Sequence, residues 1–174
     1  MIRTVKILSL LGLALFVAGS CKKDKPRNCC PGSTTEYTVG NGKIYIPNIF
    51  TPNGDGLNDV FLALGTNGIS IKKFKINDRD GYLLFSIDNA QPNDPASGWQ
   101  PTGPSPYIGK FSYSLIVVST DGTEKKITGV ANSNLYSLDS SNRRCDCTDC
   151  QFATQHDGMG GFCEACPSLE SICN

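Results

Sequence analysis

The sequence predicts an all-β fold: an immunoglobulin-like β-sandwich with a disulfide-rich C-terminal tail. Three observations lead there. Between residues 43 and 138, short runs of alternating apolar residues recur roughly every ten residues, separated by turn formers. The dipeptides Asp80-Gly81 and Asp121-Gly122 each lie between a pair of such runs, as hairpin turns do. Eighteen Gly and ten Pro supply turn positions, and no stretch after residue 20 carries a helical period. Strand propensity by itself leaves a barrel open as the alternative.

Taken in chain order, residues 1–20 come first. Arg3 and Lys6 precede the apolar run 7–17, which is shorter than the roughly 20 residues a spanning helix needs but suits an export signal. The run ends in Ala18-Gly19-Ser20-Cys21, which resembles a bacterial lipobox except that Ala18 stands where Leu is usual. The resemblance implies lipidation of Cys21 after cleavage, and acyl chains at about 0.8 kcal/mol per buried methylene would hold the chain on a membrane. Cleavage takes Arg3 and Lys6 from the 16 basic residues, leaving 14 against 16 acids, a balance of −2. That balance argues against nucleic acid as a partner. Lys22-Lys23-Asp24-Lys25 weakly resembles the charged export tags of Bacteroidetes surface lipoproteins, and residues 21–42 as a whole read as a tether.

Within 43–138, residues 43–47 alternate and stop at Pro47, so they form an edge or strand end. Residues 59–64 are a second candidate strand. Residues 69–76 alternate twice with a slip at Lys72-Lys73, the signature of a β-bulge. Residues 82–87 and 124–130 follow the two Asp-Gly turns. The clearest strand is 110–120, with Phe111, Tyr113, Leu115 and Val117 on one face. Trp99, the only tryptophan, is expected as a plug in the core or at its rim.

The most specific stretch is 47–61, Pro-Asn-Ile-Phe-Thr-Pro-Asn-Gly-Asp-Gly-Leu-Asn-Asp-Val-Phe. It closely resembles the opening of the gliding-motility-associated C-terminal domain of Bacteroidetes, which also serves as a type B sorting domain of the type IX secretion system. The resemblance continues through Lys73 to Gly81, Trp99, Gly109-Lys110-Phe111-Ser112-Tyr113 and Lys126 to Val130, and so spans 43–138. It departs where the family's Asn-Arg-Trp-Gly turn reads Asn77-Asp78-Arg79-Asp80-Gly81, and where Trp99 is followed by Gln100-Pro101 instead of Asp-Gly. Sorting domains of the family close their chains, whereas 36 residues follow Leu138 here and a lipid anchor precedes it. The expectation is therefore a retained surface or outer-membrane module, with secreted cargo bearing a sorting signal as the alternative.

Two groups of residues could bind or cross-link. Asn53, Asp55, Asn58 and Asp59, with the Leu57 carbonyl, put oxygen ligands within seven residues, a candidate calcium loop; Asn-Gly and Asp-Gly turn formation is the rival reading. In the tail, 139–174, Cys145, Cys147, Cys150, Cys163, Cys166 and Cys173 join Cys29 and Cys30 in an even set of eight. In an exported chain these read as four disulfides that staple tether to tail, with 105 connectivities open. Zinc at the two Cys-x2-Cys pairs, with His156 between them, is the alternative. No nucleophile, base and orienting group can be assembled from the sequence, so no enzyme is expected and no cofactor is required. The expected partners are the membrane and envelope or secretion-system proteins. Glycans are an alternative, through Tyr45, Tyr82, Tyr107 and Trp99.

Overall fold

The computed structural model describes residues 35–66, 68–103, 106–134 and 151–155. Cys21, where lipidation is expected, all eight other cysteines and His156 lie outside the described residues. Among the described residues the chain forms eight strands and two single-turn 3-10 helices, an all-β architecture of two sheets around one core. The strands are β1 (Glu36–Val39), β2 (Gly42–Tyr45), β3 (Ile49–Phe50), β4 (Leu64–Gly65), β5 (Ile69–Asn77), β6 (Leu83–Ala90), β7 (Gly109–Ser119) and β8 (Glu124–Ser133). One sheet is ordered β1-β2-β4 and the other β3-β8-β7-β5-β6.

The larger sheet is built from the runs that alternate most strictly. β7 buries Phe111, Tyr113, Leu115 and Val117, as its period of two requires, and pairs with β5 on one side and β8 on the other. The register of β5 on β7 shifts between Ile71 and Lys73, so the slip read at Lys72-Lys73 is a bulge. It returns Phe74 and Ile76 to the core face already occupied by Ile71. Tyr113 lies directly opposite Gly129, and its ring occupies the space a Cβ would need there. The smaller sheet covers this face with Val39 and Ile44.

Two elements differ from expectation. β1 falls inside the segment read as tether, because Gly40-Asn41 turns it back onto β2 with Val39 opposite Gly42. Residues 59–64 do not form one strand: Phe61 makes an isolated bridge to Trp99, and only Leu64 belongs to a strand, the two-residue β4. Phe61 and Trp99 exchange both backbone hydrogen bonds, at 2.8 and 2.9 Å, so this segment pairs with an irregular loop instead of a neighbouring strand.

β3 follows from what lies beneath it. Residues 44–50 are buried without interruption, which a strand with one solvated face would not allow. Ile44 faces the main core, while Tyr45 and Ile49 are buried outside it. What covers that side includes residues 151–155, a short piece of the segment expected to be a disulfide-ordered tail.

Candidate functional site

The loop between β3 and β4 holds the residues with the most specific spacing, and its geometry is set by its own amides. Asp59 Oδ1 accepts from the Gly54 amide at 2.7 Å and Oδ2 from the Gly56 amide at 2.8 Å. Asp55 Oδ1 accepts from the Leu57 amide at 2.8 Å, and Asp55 Oδ2 from Asn53 Nδ2 at 2.9 Å. Asn53 Oδ1 in turn accepts from the Asp55 amide at 3.1 Å. The base is closed by the Thr51 amide donating to the Asn58 carbonyl, with Thr51 and Asn58 both buried. Gly54 and Gly56 sit at φ +81° and +89° with open space beside them, so glycine is required there by backbone conformation and not by crowding.

All five expected calcium ligands therefore come together in one loop. However, four carboxylate oxygens and one amide oxygen are already turned to donors of the loop itself. A cation site converges oxygens on a point, whereas here two amides converge on the Asp59 carboxylate. No group of three or more His, Cys, Asp or Glu residues that could hold a metal occurs among the described residues. The arrangement supports the turn reading: short acidic side chains fix backbone amides that the tight wrap would otherwise leave to water.

The same device recurs at other turns. Asp78 Oδ1 takes the amides of Asp80 and Tyr82 at 2.9 and 2.8 Å. Asp94 caps the 3-10 turn Pro95–Ser97 through the Ala96 amide at 3.0 Å. Asp121 accepts from the Ser119 hydroxyl and from the Thr123 amide, and these bonds hold its carboxyl at about 2, below the ordinary 3.8. Among the described residues, five of the seven aspartates act as turn locks.

Behind the loop lies an aromatic cluster. Trp99, 5% exposed, stacks at a tilt on Phe50 with ring centroids 5.4 Å apart and meets Phe111 edge-on at 5.1 Å. Its role is the core plug expected of it. Of the four aromatic residues considered for glycans, Trp99 and Tyr45 are buried, Tyr107 is half-buried against Trp99, and Tyr82 is 74% exposed.

The sequence reading missed a third cluster, where residues 151–155 dock. The Asn48 amide donates to the Gln151 carbonyl at 3.1 Å, and Asn48 Oδ1 accepts from the Gln151 amide at 2.8 Å. The Asn48 carbonyl meanwhile accepts from the Asn132 amide of β8 at 2.9 Å. The Thr35 hydroxyl donates to Gln151 Oε1, and the Tyr45 hydroxyl reaches the Phe152 carbonyl at 3.5 Å. Phe152 itself is 0% exposed. Burial, with Glu36 nearby, pushes the Tyr45 hydroxyl well above the ordinary tyrosine range. Phe152, one of two phenylalanines in a tail of low apolar content, was the only available signal.

A family model described as the CHU_C type IX secretion signal domain matches residues 44–130, from within β2 to within β8. The chain belongs to the type IX secretion signal domain family. A type IX secretion signal domain marks a chain that is secreted or carried to the cell surface. The match contains the locked loop and the aromatic cluster, whereas β1, Thr35 and the docked residues 151–155 flank it. No curated protein matches the chain in sequence. Among solved structures, CopC from Methylosinus trichosporium OB3b is similar at 13% identity and a TM-score of 0.36, over 60% of this chain and 97% of that one.

Proposed function

We propose that the protein is a non-enzymatic surface lipoprotein, fixed to the outer membrane through Cys21, whose immunoglobulin-like sandwich is a binding or envelope-assembly module linked to type IX secretion or gliding. The observation that supports this most is the loop 53–59. It is the most specific part of the family domain, it is largely exposed, and its polar atoms are engaged within the loop. Such a loop presents a fixed shape to a protein partner instead of a reactive group to a substrate. The eight cysteines outside the lipobox read as four disulfides that order the tail, with zinc as the alternative. A second reading, secreted cargo in which the domain is the sorting signal, rests on the family's description as a secretion signal.

Fractionation of cells with a working type IX system separates the two. Wild-type chain, Cys21→Ala and a chain lacking 43–138 are compared for membrane retention and for protease accessibility on intact cells. The surface-module reading expects wild type on the membrane and accessible, Cys21→Ala released, and the deleted chain still anchored at the surface. Wild type free in the medium, or a deleted chain trapped in the periplasm, would assign the domain to sorting. Pull-down of the anchored chain should recover secretion or motility components; recovery of glycans alone would move the partner class to carbohydrate.

A further inference from the structure

The two edges of the five-stranded sheet are treated differently. At the β3 edge, Gln151 exchanges hydrogen bonds with Asn48 and covers the strand. At the other edge β6 pairs only with β5, and no strand among the described residues takes its outer side. Natural edge strands are usually blunted by lysine, proline or an inward-pointing charge. From Leu83 to Ile87 this one has none of them; it reads Leu-Leu-Phe-Ser-Ile after an exposed Tyr82. Leu83 is 59% exposed. Phe85 and Ile87, opposite Ile76 and Phe74, point to the core face yet stay half-buried, because the smaller sheet does not extend over them. Among the described residues the core is open at this end.

We propose that β6 pairs antiparallel with β6 of a second copy of the chain, joining two five-stranded sheets into one across a two-fold axis. The strand itself selects the occupant and the register. Its regular stretch is bounded by the irregularity at Leu84, where Leu83 opposes Asn77 but Phe85 opposes Ile76, and by Asn89, which is left-handed at φ +57°. Ser86, which is exposed, lies inside that window. A two-fold axis at Ser86 sets Phe85 against Ile87 of the second copy, and Ile87 against its Phe85. Two apolar pairs then close the open end of both cores. The only charged side chain of β6, Asp88, falls beyond these pairs, level with the irregularity at Leu84, and away from its own mate. Moving the axis to Ile87 would force left-handed Asn89 into the ladder opposite Phe85. Moving it to Phe85 would match inward Ile87 with Leu83, which points to the other face. A shift of one residue would set inner faces against outer ones. One strip thus supplies both halves of the contact, as an isologous interface requires.

The test is charge exchange at the axis, using the full-length chain in density-matched detergent and sedimentation to read mass. Wild type should sediment as a dimer at about 100 µM, where even a pair of about 10 µM affinity is largely assembled. Ser86→Lys and Ser86→Glu, each alone, place like charges across the axis and should return the mass to that of one chain. The two variants mixed should recover the dimer. Unchanged melting of each variant at low concentration excludes misfolding as the cause of dissociation. A wild-type monomer at about 100 µM overturns the proposal, because a biological edge pairing of this kind would be populated there. A dimer indifferent to both Ser86 charges overturns it as well, since the contact would then lie elsewhere.

Discussion

Phe152→Ala should lower the stability of the whole folded unit, although Phe152 lies 22 residues beyond the end of the family match at 130. The ring is 0% exposed, and emptying a buried phenylalanine site costs about 3–5 kcal/mol. The docked segment is short and could release locally, so the lower figure, about 3 kcal/mol, is the appropriate one. For a domain of this size each kcal/mol moves the midpoint by roughly 4–8 °C, giving a fall of about 12–24 °C. Thermal unfolding followed by circular dichroism measures it, with Lys126→Ala, an exposed site, as a control that should move by no more than about 0.5 kcal/mol. Amide exchange adds a local readout, because the Asn48 amide donates to the Gln151 carbonyl and should lose protection in the variant. A midpoint within about 3 °C of wild type, with Asn48 exchange unchanged, would mean that residues 151–155 do not dock over Tyr45 in solution.

Three further outcomes are expected. Asp59→Ala removes the acceptor of two exposed amides and should cost about 1–3 kcal/mol by urea unfolding, while millimolar calcium leaves the wild-type melting temperature unchanged; a calcium-dependent rise would show that the carboxylates exchange their amides for the ion. Asp121 has a folded carboxyl at about 2 against 3.8 ordinarily, so its stabilisation is fully present above about pH 4 and is lost as pH falls through 2. The stability gap between wild type and Asp121→Asn should therefore be flat above about pH 5 and shrink below it, and a gap that narrowed instead between pH 6 and 8 would contradict the assignment. Four disulfides make the non-reduced chain about 8 Da lighter than the all-thiol form, whereas an all-thiol mass with bound zinc selects the metal alternative.

What could be read from the sequence was whatever depended on neighbouring residues. β5, β7 and β8 announce themselves because alternation of side chains is a local property, and the bulge at Lys72 shows as a local slip. β1 carried a readable signal too: Val39-Gly40-Asn41-Gly42 is a two-residue hairpin turn, obscured by the polar, Ser- and Thr-rich segment before it. β3 carried none. Two residues have no periodicity, and Ile49 and Phe50 become strand only because β8 arrives alongside, parallel to them. Residues 59–63 have the composition of a strand but lack the partner, since Trp99 pairs with Phe61 alone. At the loop, the sequence could place Asn53, Asp55, Asn58 and Asp59 together, but not whether their oxygens would face a cation or the chain's own amides. Only the folded loop brings the Asp59 carboxylate back to the amides of Gly54 and Gly56.

The parallel pair of β3 and β8 joins Ile49 to Asn132 across 83 residues, and Asn48 reaches still further, to Gln151. Contacts this distant along the chain must wait for the intervening polypeptide to be present, and the entropy of closing so large a loop has to be met before they stabilise anything. In a chain threaded amino end first through a membrane, the seam at Asn48 is therefore the last to close. Until β8 has crossed, β3 has no neighbour, and until the segment after β8 follows, Asn48 lacks the carbonyl of Gln151. The hairpins of β5 to β8 can form from neighbouring chain, so the fold has an early part set by local pairing and a late seam set by residues 151–155.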